Sequence, residues 1–329
     1  LHLRIEYANV IPSGVDAVAD EGGAVGDALA GRVALVTGAS KNIGKGIALE
    51  VGAQGAITYV TARSLEDVPG ELASLARTVA EIEAAGGRAI PIACDHTDDD
   101  QVRAVFRQIE QEQGRLDLVV NVASPEFSAM VGVPFWEIPF HEITRCLEVG
   151  PRSDYVTTAL AAPMMIAQGS GLIVNISSHG ARSYLLSVPY GVGKAAIDKV
   201  TQDTALELKP HGVAVVSMWP GLVLTEGLLA NTEVDAAGRR TLQGLDISFG
   251  ESPKFNGKGV VALASDPAVL DRTGGSFFTG ELAREYGFTE DDGSLPPLTD
   301  AGLVSVMDES EIPDYWRGVN RFTESEATS

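Results

Sequence analysis

Tyr190 and Lys194 stand four residues apart in VPYGVGKAAIDKV, the stretch from Val188 to Val200. On a helix, side chains at i and i+4 lie one above the other, so the two groups can act on one ligand. A tyrosine serves as a general acid when its pKa falls from about 10 toward the working pH, and a positive neighbour favours the ionised form. The polar edge of an ordinary buried helix produces the same spacing, so the pair needs context. Upstream, the apolar run SGLIVNISS ends in Ser177 and Ser178. A second constellation lies near the other end of the chain, in TGASKNIGKG from Thr37 to Gly46. Gly38 permits a tight turn there, the backbone N–H groups that follow approach phosphate, and the N-terminus of the next helix is a positive dipole end.

These residues must be carried by regular elements. RVALVTG (Arg32–Gly38) is a short β-branched run ending in glycine, and IGKGIALEVGAQG follows with helical spacing. AITYVTAR (Ala56–Arg63), RAIPIACD, LDLVVNVA (Leu116–Ala123), SGLIVNISS and GVAVVSMWPG read as further strands. Between them lie helices: ELASLARTVAEIEAAGG, DDDQVRAVFRQIEQEQG, a long one over about Glu142–Gln168 broken near Gly150-Pro151, and VPYGVGKAAIDKVTQDTALELKP. SFFTG (Ser276–Gly280) fits a last strand. Strands that are nearly continuous apolar runs and alternate with helices predict an α/β fold, a doubly wound parallel sheet of Rossmann type with both faces covered. Residues 1–30 read as a flexible extension, 31–294 as the domain with a lid at about 222–258, and 295–329 as an acidic tail.

Composition excludes several classes. The net charge is −21, with only seven lysines, so nucleic acid and anionic lipid heads are not expected partners. From Glu281 onward there are twelve Asp/Glu against three Arg, a solvated tail by its charge. No apolar run approaches the ~20 residues of a membrane span. No basic start with a hydrophobic core opens the chain, so no secretory signal is expected. Cys94 and Cys146 are far apart and in no metal-like spacing; no metal site is expected, and a reducing cytoplasm fits.

With the glycine turn, the βα rhythm and the Ser/Tyr/Lys set in order, the chain resembles a short-chain dehydrogenase/reductase over roughly residues 31–290. That family's glycine motif is matched by Thr37, Gly38, Ile43 and Gly44, with Ser40 and Lys41 inside the loop. Asn42 replaces the middle glycine; asparagine tolerates positive φ better than most residues, so the turn should survive. The second strand ends in Arg63 with no acid in the usual place, and Lys41 is a second cation nearby, which favours NADP(H) over NAD(H). The resemblance implies that Asp95, with His96 beside it, meets the adenine, and that Asn121 and Ala123 stand in the motif after the fourth strand, from which Val122 and Ser124 depart. It implies that Pro220, Gly221 and Val223 line the nicotinamide and that Thr225 faces its carboxamide.

For catalysis the resemblance implies that Tyr190 donates the proton, Ser178 holds the substrate oxygen, and Lys194 tunes Tyr190 and holds the nicotinamide ribose. The family often carries an asparagine on the preceding long helix; Gly150, followed by Pro151, stands there instead and cannot supply an amide. VPYGVGKAA, Phe135–Glu137, MWPG and VVALASDP are similar to the branch of dehydrogenase/reductase family member 1, which implies NADPH-dependent reduction of steroid and xenobiotic carbonyls. Phe127, Met130, Phe135, Trp136, Phe140 and Tyr184 suggest a wall for a bulky apolar ketone or aldehyde, or else core packing. The competing functions are a non-catalytic dinucleotide sensor and an enone C=C reductase. A homo-dimer or tetramer is implied by the resemblance alone.

Overall fold

The computed structural model describes residues 26–67, 73–242 and 244–297. Most of the expected N-terminal extension (1–25) and of the acidic tail (298–329) therefore lies outside the described residues. In chain order the elements are β1 (Val33–Thr37), α1 (Asn42–Ala53), β2 (Ile57–Ala62), α2 (Leu75–Ala84), β3 (Arg88–Ala93), α3 (Asp99–Gln113) and β4 (Leu118–Asn121). Then follow α4 (Phe140–Leu147), α5 (Ser153–Gln168), β5 (Gly171–Ile176), α6 (Val188–Leu208) and β6 (Val213–Trp219). The chain continues through α7 (Glu226–Leu229), three short strands β7 (Glu233–Val234), β8 (Arg240–Leu242) and β9 (Leu245–Asp246), then α8 (Pro253–Ser265), β10 (Ser276–Phe278) and α9 (Thr279–Tyr286).

Seven strands form one parallel sheet in the order β10-β6-β5-β4-β1-β2-β3. The chain winds outward from β1 to β3, then returns to β4 on the other side of β1. At that reversal the loops after β1 and β4 part, and a crevice opens at the C-terminal edge of the sheet. The period-2 alternation of each strand feeds two cores. Ala34 and Val36 pack on one face with Ile47 and Val51 of α1, Leu75 and Ile82 of α2, and Val260 and Leu263 of α8. Val33 and Leu35 pack on the other with Val105 and Ile109 of α3, Ala161 and Met165 of α5, and Ala205 and Leu208 of α6. The doubly wound sheet expected from the sequence is thus observed. Leu29, just before β1, is also fully buried in the first of these cores.

Two departures from regularity matter for the site. The expected break near Gly150-Pro151 is a wide turn over Glu148–Arg152 between α4 and α5, with Gly150 at φ −103° and ψ −108°. Pro151 has no N–H to continue the ladder, so the helix restarts at Ser153. The stretch expected as a lid holds α7 and a small antiparallel sheet, β7-β8-β9, and its last residues already belong to α8, which packs on α1. Among the described residues no helix is long and apolar enough to cross a membrane.

Candidate active site

The turn from β1 into α1 is shaped by close approach. Gly38 sits at φ +64°, and a Cβ there would lie 2.9 Å from Ala123 Cα. A Cβ on Gly44 would lie 2.3 Å from the Gly38 carbonyl oxygen. Only glycine fits either place. Thr37 Oγ1 accepts from the Val122 and Ala123 N–H groups at 2.9 and 3.1 Å, which ties the loop to the end of β4. Asn42 takes φ +53°, the left-handed conformation that its place in the glycine pattern requires. Its Oδ1 is buried with no hydrogen-bond partner among the described residues. Ser40 borders the loop and accepts from Ser74 N–H through its carbonyl, while Ile43 packs against the core. Lys41 and Arg63 are both exposed beside the turn. Narrow glycine-lined backbone at a helix N-terminus, with two exposed cations beside it, suits the pyrophosphate of a dinucleotide, so the residues present fit that group.

The remaining expected cofactor residues divide into two sets. Asp95 faces outward; the Thr97 N–H above all, with the Thr97 hydroxyl and the Arg63 charge, holds its carboxyl below the usual range. Pro220, Gly221 and Val223 form the loop after β6, and Thr225 caps α7 by accepting from Leu228 N–H. His96 instead turns inward: it is buried, its Nε2 meets Thr61 Oγ1 at 2.8 Å, and burial lowers its pKa to about 4. Asn121 is buried too, donating to Asn175 Oδ1 at 2.8 Å, with Asn175 donating in turn to Thr201. That chain ties β4 to β5 and α6 beneath the crevice.

The expected catalytic residues come together. Ser187 caps α6 by accepting from Tyr190 N–H at 3.3 Å, with Pro189 in the first turn, so the helix begins just where Tyr190 must be placed. Tyr190 is buried between Gly180, where a Cβ would meet its ring at 2.7 Å, and Phe127, whose ring stands edge-on at 4.8 Å. Of the two serines, Ser178 accepts from the Gly180 N–H at 3.1 Å and acts on the Tyr190 phenol, while Ser177 turns inward to donate to the Lys194 carbonyl. Burial pushes the Tyr190 phenol up to about 12, against the lowering effect of Ser178. This departs from the expected depression by Lys194. The Lys194 ammonium donates to the Ile176 carbonyl at 3.0 Å and lies 5.7 Å from the Tyr190 ring centroid. Burial acts on Lys194 in the opposite sense and lowers it, opposed by Asp154, Asp198 and Cys146.

Of the expected aromatic wall, Phe127 touches Tyr190, while Met130 is a core residue with Ile138 and Cys146. Phe135, Trp136 and Phe140 are exposed.

Four acidic residues at the site escaped the sequence reading. Asp154 on α5 and Asp198 on α6 are buried near Lys194; Asp198 accepts from Ser217 Oγ at 2.7 Å and Trp219 Nε1 at 3.2 Å. Glu226 on α7 accepts from Asn42 N–H at 2.9 Å, so the lid reaches the first turn of α1. Glu251 is buried and accepts from Gly221 N–H at 2.9 Å, and its backbone pairs with Leu222 and Leu224. Asp198 was findable, since it follows Lys194 at helical spacing. The partners of Glu226 lie far off in sequence and leave no local signal.

Comparison with known proteins agrees with this architecture. The family model described as short chain dehydrogenase matches residues 32–234. Dehydrogenase/reductase SDR family member 1 of Mus musculus is 40% identical over 270 residues, covering 80% of this chain and 84% of the relative. The protein of the same name from Homo sapiens is 41% identical over 288 residues, covering 84% and 88%. The crystal structure of a metagenomic short-chain oxidoreductase in complex with NADP superposes with a TM-score of 0.57 at 30% identity, covering 73% of this chain and 93% of that one.

Proposed function

The chain belongs to the short-chain dehydrogenase/reductase family, and from that premise we propose that it reduces a bulky apolar ketone or aldehyde with NADPH, or runs the reverse reaction. The observation that carries this reading is the convergence of three buried side chains: Ser178 acts on the Tyr190 phenol, and the Lys194 ammonium lies 5.7 Å from the Tyr190 ring centroid. A nicotinamide bound there would supply or accept the hydride at the carbonyl carbon. The protein handles the other charge. A carbonyl oxygen that gains the electron pair needs a donor and a proton. Ser178 holds that oxygen, and Tyr190, a neutral phenol at neutral pH, gives its proton to it. In the reverse direction Tyr190 must first lose that proton, and Lys194 is the charge that helps it do so.

Gly38, Ser40, Asn42, Ile43 and Gly44 would hold the pyrophosphate, Asp95 the adenine side, and Pro220, Gly221, Val223 and Thr225 the nicotinamide end. Lys41 and Arg63 support NADP(H) over NAD(H), and the NADP found with the metagenomic relative adds to that support. His96 and Asn121 act as supports of the loops rather than as ligands. A cytoplasmic setting and a homo-dimer or tetramer belong to the same proposal. Titration with NADPH and with NADH, followed by nicotinamide fluorescence, tests it: tight NADPH and weak NADH are expected. A preference for NADH would overturn the charge argument and leave the Tyr190 chemistry standing.

A further inference from the structure

The loop after β6, Pro220 to Thr225, is held at three points by a single residue far along the chain. Glu251 Oε2 accepts from the Gly221 N–H at 2.9 Å. The Glu251 N–H donates to the Leu222 carbonyl at 2.7 Å, and the Glu251 carbonyl accepts from the Leu224 N–H at 2.8 Å. Val223 lies between these bonds, in a parallel bridge with Glu251. Gly250 lets the two segments approach: a Cβ there would stand 2.7 Å from Leu224 Cδ2 and 2.9 Å from the Leu222 carbonyl oxygen.

Glu251 is itself anchored. The next residue, Ser252, caps α8 by accepting from Phe255 N–H at 3.0 Å, and its own N–H and hydroxyl both donate to the Glu290 side chain, at 2.7 and 2.6 Å. Just beyond the cap, Pro253 lies so close to α1 that no Cβ fits on Gly46. A short path therefore runs from the helix of the glycine turn through the start of α8 and Glu251 to Gly221. The other oxygen of the carboxyl, Oε1, is buried with no hydrogen-bond partner among the described residues. Such an oxygen gives up its hydration and gains no bond, so packing alone favours an apolar side chain here. What the carboxyl adds is an acceptor for Gly221, whose predecessor, Pro220, has no N–H with which to hold the loop.

We propose that Glu251 is a positioning residue for hydride transfer: by clamping the loop around Val223 it sets where the nicotinamide ring lies against the carbonyl carbon. The role rests on the assignment of Pro220, Gly221, Val223 and Thr225 to the nicotinamide end above; the clamp itself does not. The Gly221 N–H needs only a lone pair, which an amide oxygen offers as a carboxyl does. An acceptor of the same shape therefore preserves the clamp, and an apolar side chain removes it. Displacing the reacting atoms by about 1 Å lowers the rate by about 100-fold, so a loosened loop acts on the chemical step before it acts on affinity.

The test compares Glu251→Ala with Glu251→Gln in the whole chain at neutral pH; Glu251→Met replaces the alanine variant if that one does not fold. Hydrogen–deuterium exchange over residues 219–225 reads the clamp: it should speed up about tenfold or more in Glu251→Ala and return toward the parent in Glu251→Gln. In carbonyl reduction Glu251→Ala should lower kcat by about tenfold or more, with KM for NADPH little changed and a larger isotope effect from NADPH deuterated at nicotinamide C4. Glu251→Gln should recover most of that loss. Adenosine 2′,5′-bisphosphate, which has no nicotinamide, should bind the alanine variant as it binds the parent. Equal weakening of NADPH and of this fragment would show that Glu251 only supports the fold, and would overturn the proposal. Unchanged exchange would overturn the clamp, and unchanged kcat with faster exchange would overturn the role in hydride transfer. A parent protein that turns over no carbonyl would remove that role together with the function proposed above, and leave the clamp standing on the exchange result.

Discussion

At the end of β1 the chain makes room by leaving atoms out: Gly38 and Gly44 have no Cβ because backbone stands where it would go, and the nearby cations Lys41 and Arg63 are exposed. At the end of β5 the chain does the reverse. Ser178, Tyr190, Lys194, Asp154 and Asp198 are all buried and act on one another. The first region is controlled by shape and the second by charge. A cradle of backbone should fail at a single methyl group, while the exposed cations beside it should decide which dinucleotide it takes. A buried cluster of ionisable groups should tolerate small changes of shape and fail when one charge or proton is removed.

The largest effect that sharpens this contrast is expected from Tyr190→Phe, which keeps the ring and removes the proton. Turnover should drop by about 10³-fold or more, with NADPH affinity near that of the parent; unchanged turnover in steady-state assays would refute the assignment. Gly38→Ala should act on the other region alone. Adding a Cβ at φ +64° and 2.9 Å from Ala123 Cα should weaken NADPH binding about tenfold or more, while kcat at saturating cofactor changes little. Titration of both variants side by side checks the division. Replacing Lys41 and Arg63 by alanine should weaken NADPH by about tenfold and leave NADH nearly unaffected, because charge there acts on the 2′-phosphate alone.

Smaller effects follow from titration. With Tyr190 raised to about 12, carbonyl reduction should be flat in rate through neutral pH, whereas alcohol oxidation should climb as pH rises from 7 to 10. An oxidation rate that does not respond to pH would place the base elsewhere. Glu251 provides a stability readout. Burial raises its pKa from 4.5 to about 7, so the folded state holds its proton more tightly than the unfolded chain. Its contribution is present in full below about pH 4.5 and is lost as pH rises through 7. Glu251→Gln should remove that loss, gaining about 1–3 kcal/mol relative to the parent at pH 8 against pH 4 in denaturant melts.

Much of this was legible beforehand because it is local. The β-branched runs, the glycine turn, the Val188-Pro189 start of α6 and the Gly150-Pro151 break each depend on a few adjacent residues and on backbone rules that hold in any context. His96 and Asn121 mark the limit of that kind of reading. Each stands at the right place in the chain, but its side chain turns toward Thr61 or Asn175, and rotamer choice depends on neighbours dozens of residues away. The choice of Ser178 over Ser177 came from the resemblance, and its physical basis is tertiary. The strand's alternation sends successive side chains to opposite faces, and the position of α6 makes one of those faces the crevice.

The amino-acid sequence by itself determined the doubly wound sheet, the glycine-shaped turn and the presence of a Ser/Tyr/Lys set, since periodicity, missing side chains and helical spacing are properties of the chain. Tertiary structure alone decided the electrostatics of the site: that Tyr190 is raised rather than lowered, that burial lowers Lys194, and that Glu226 and Glu251 tie the stretch that carries them to the first turn of α1 and to the loop after β6. The physical reason is desolvation. The free energy of a charge depends on how completely other parts of the fold exclude water from it, and no spacing along the chain records that.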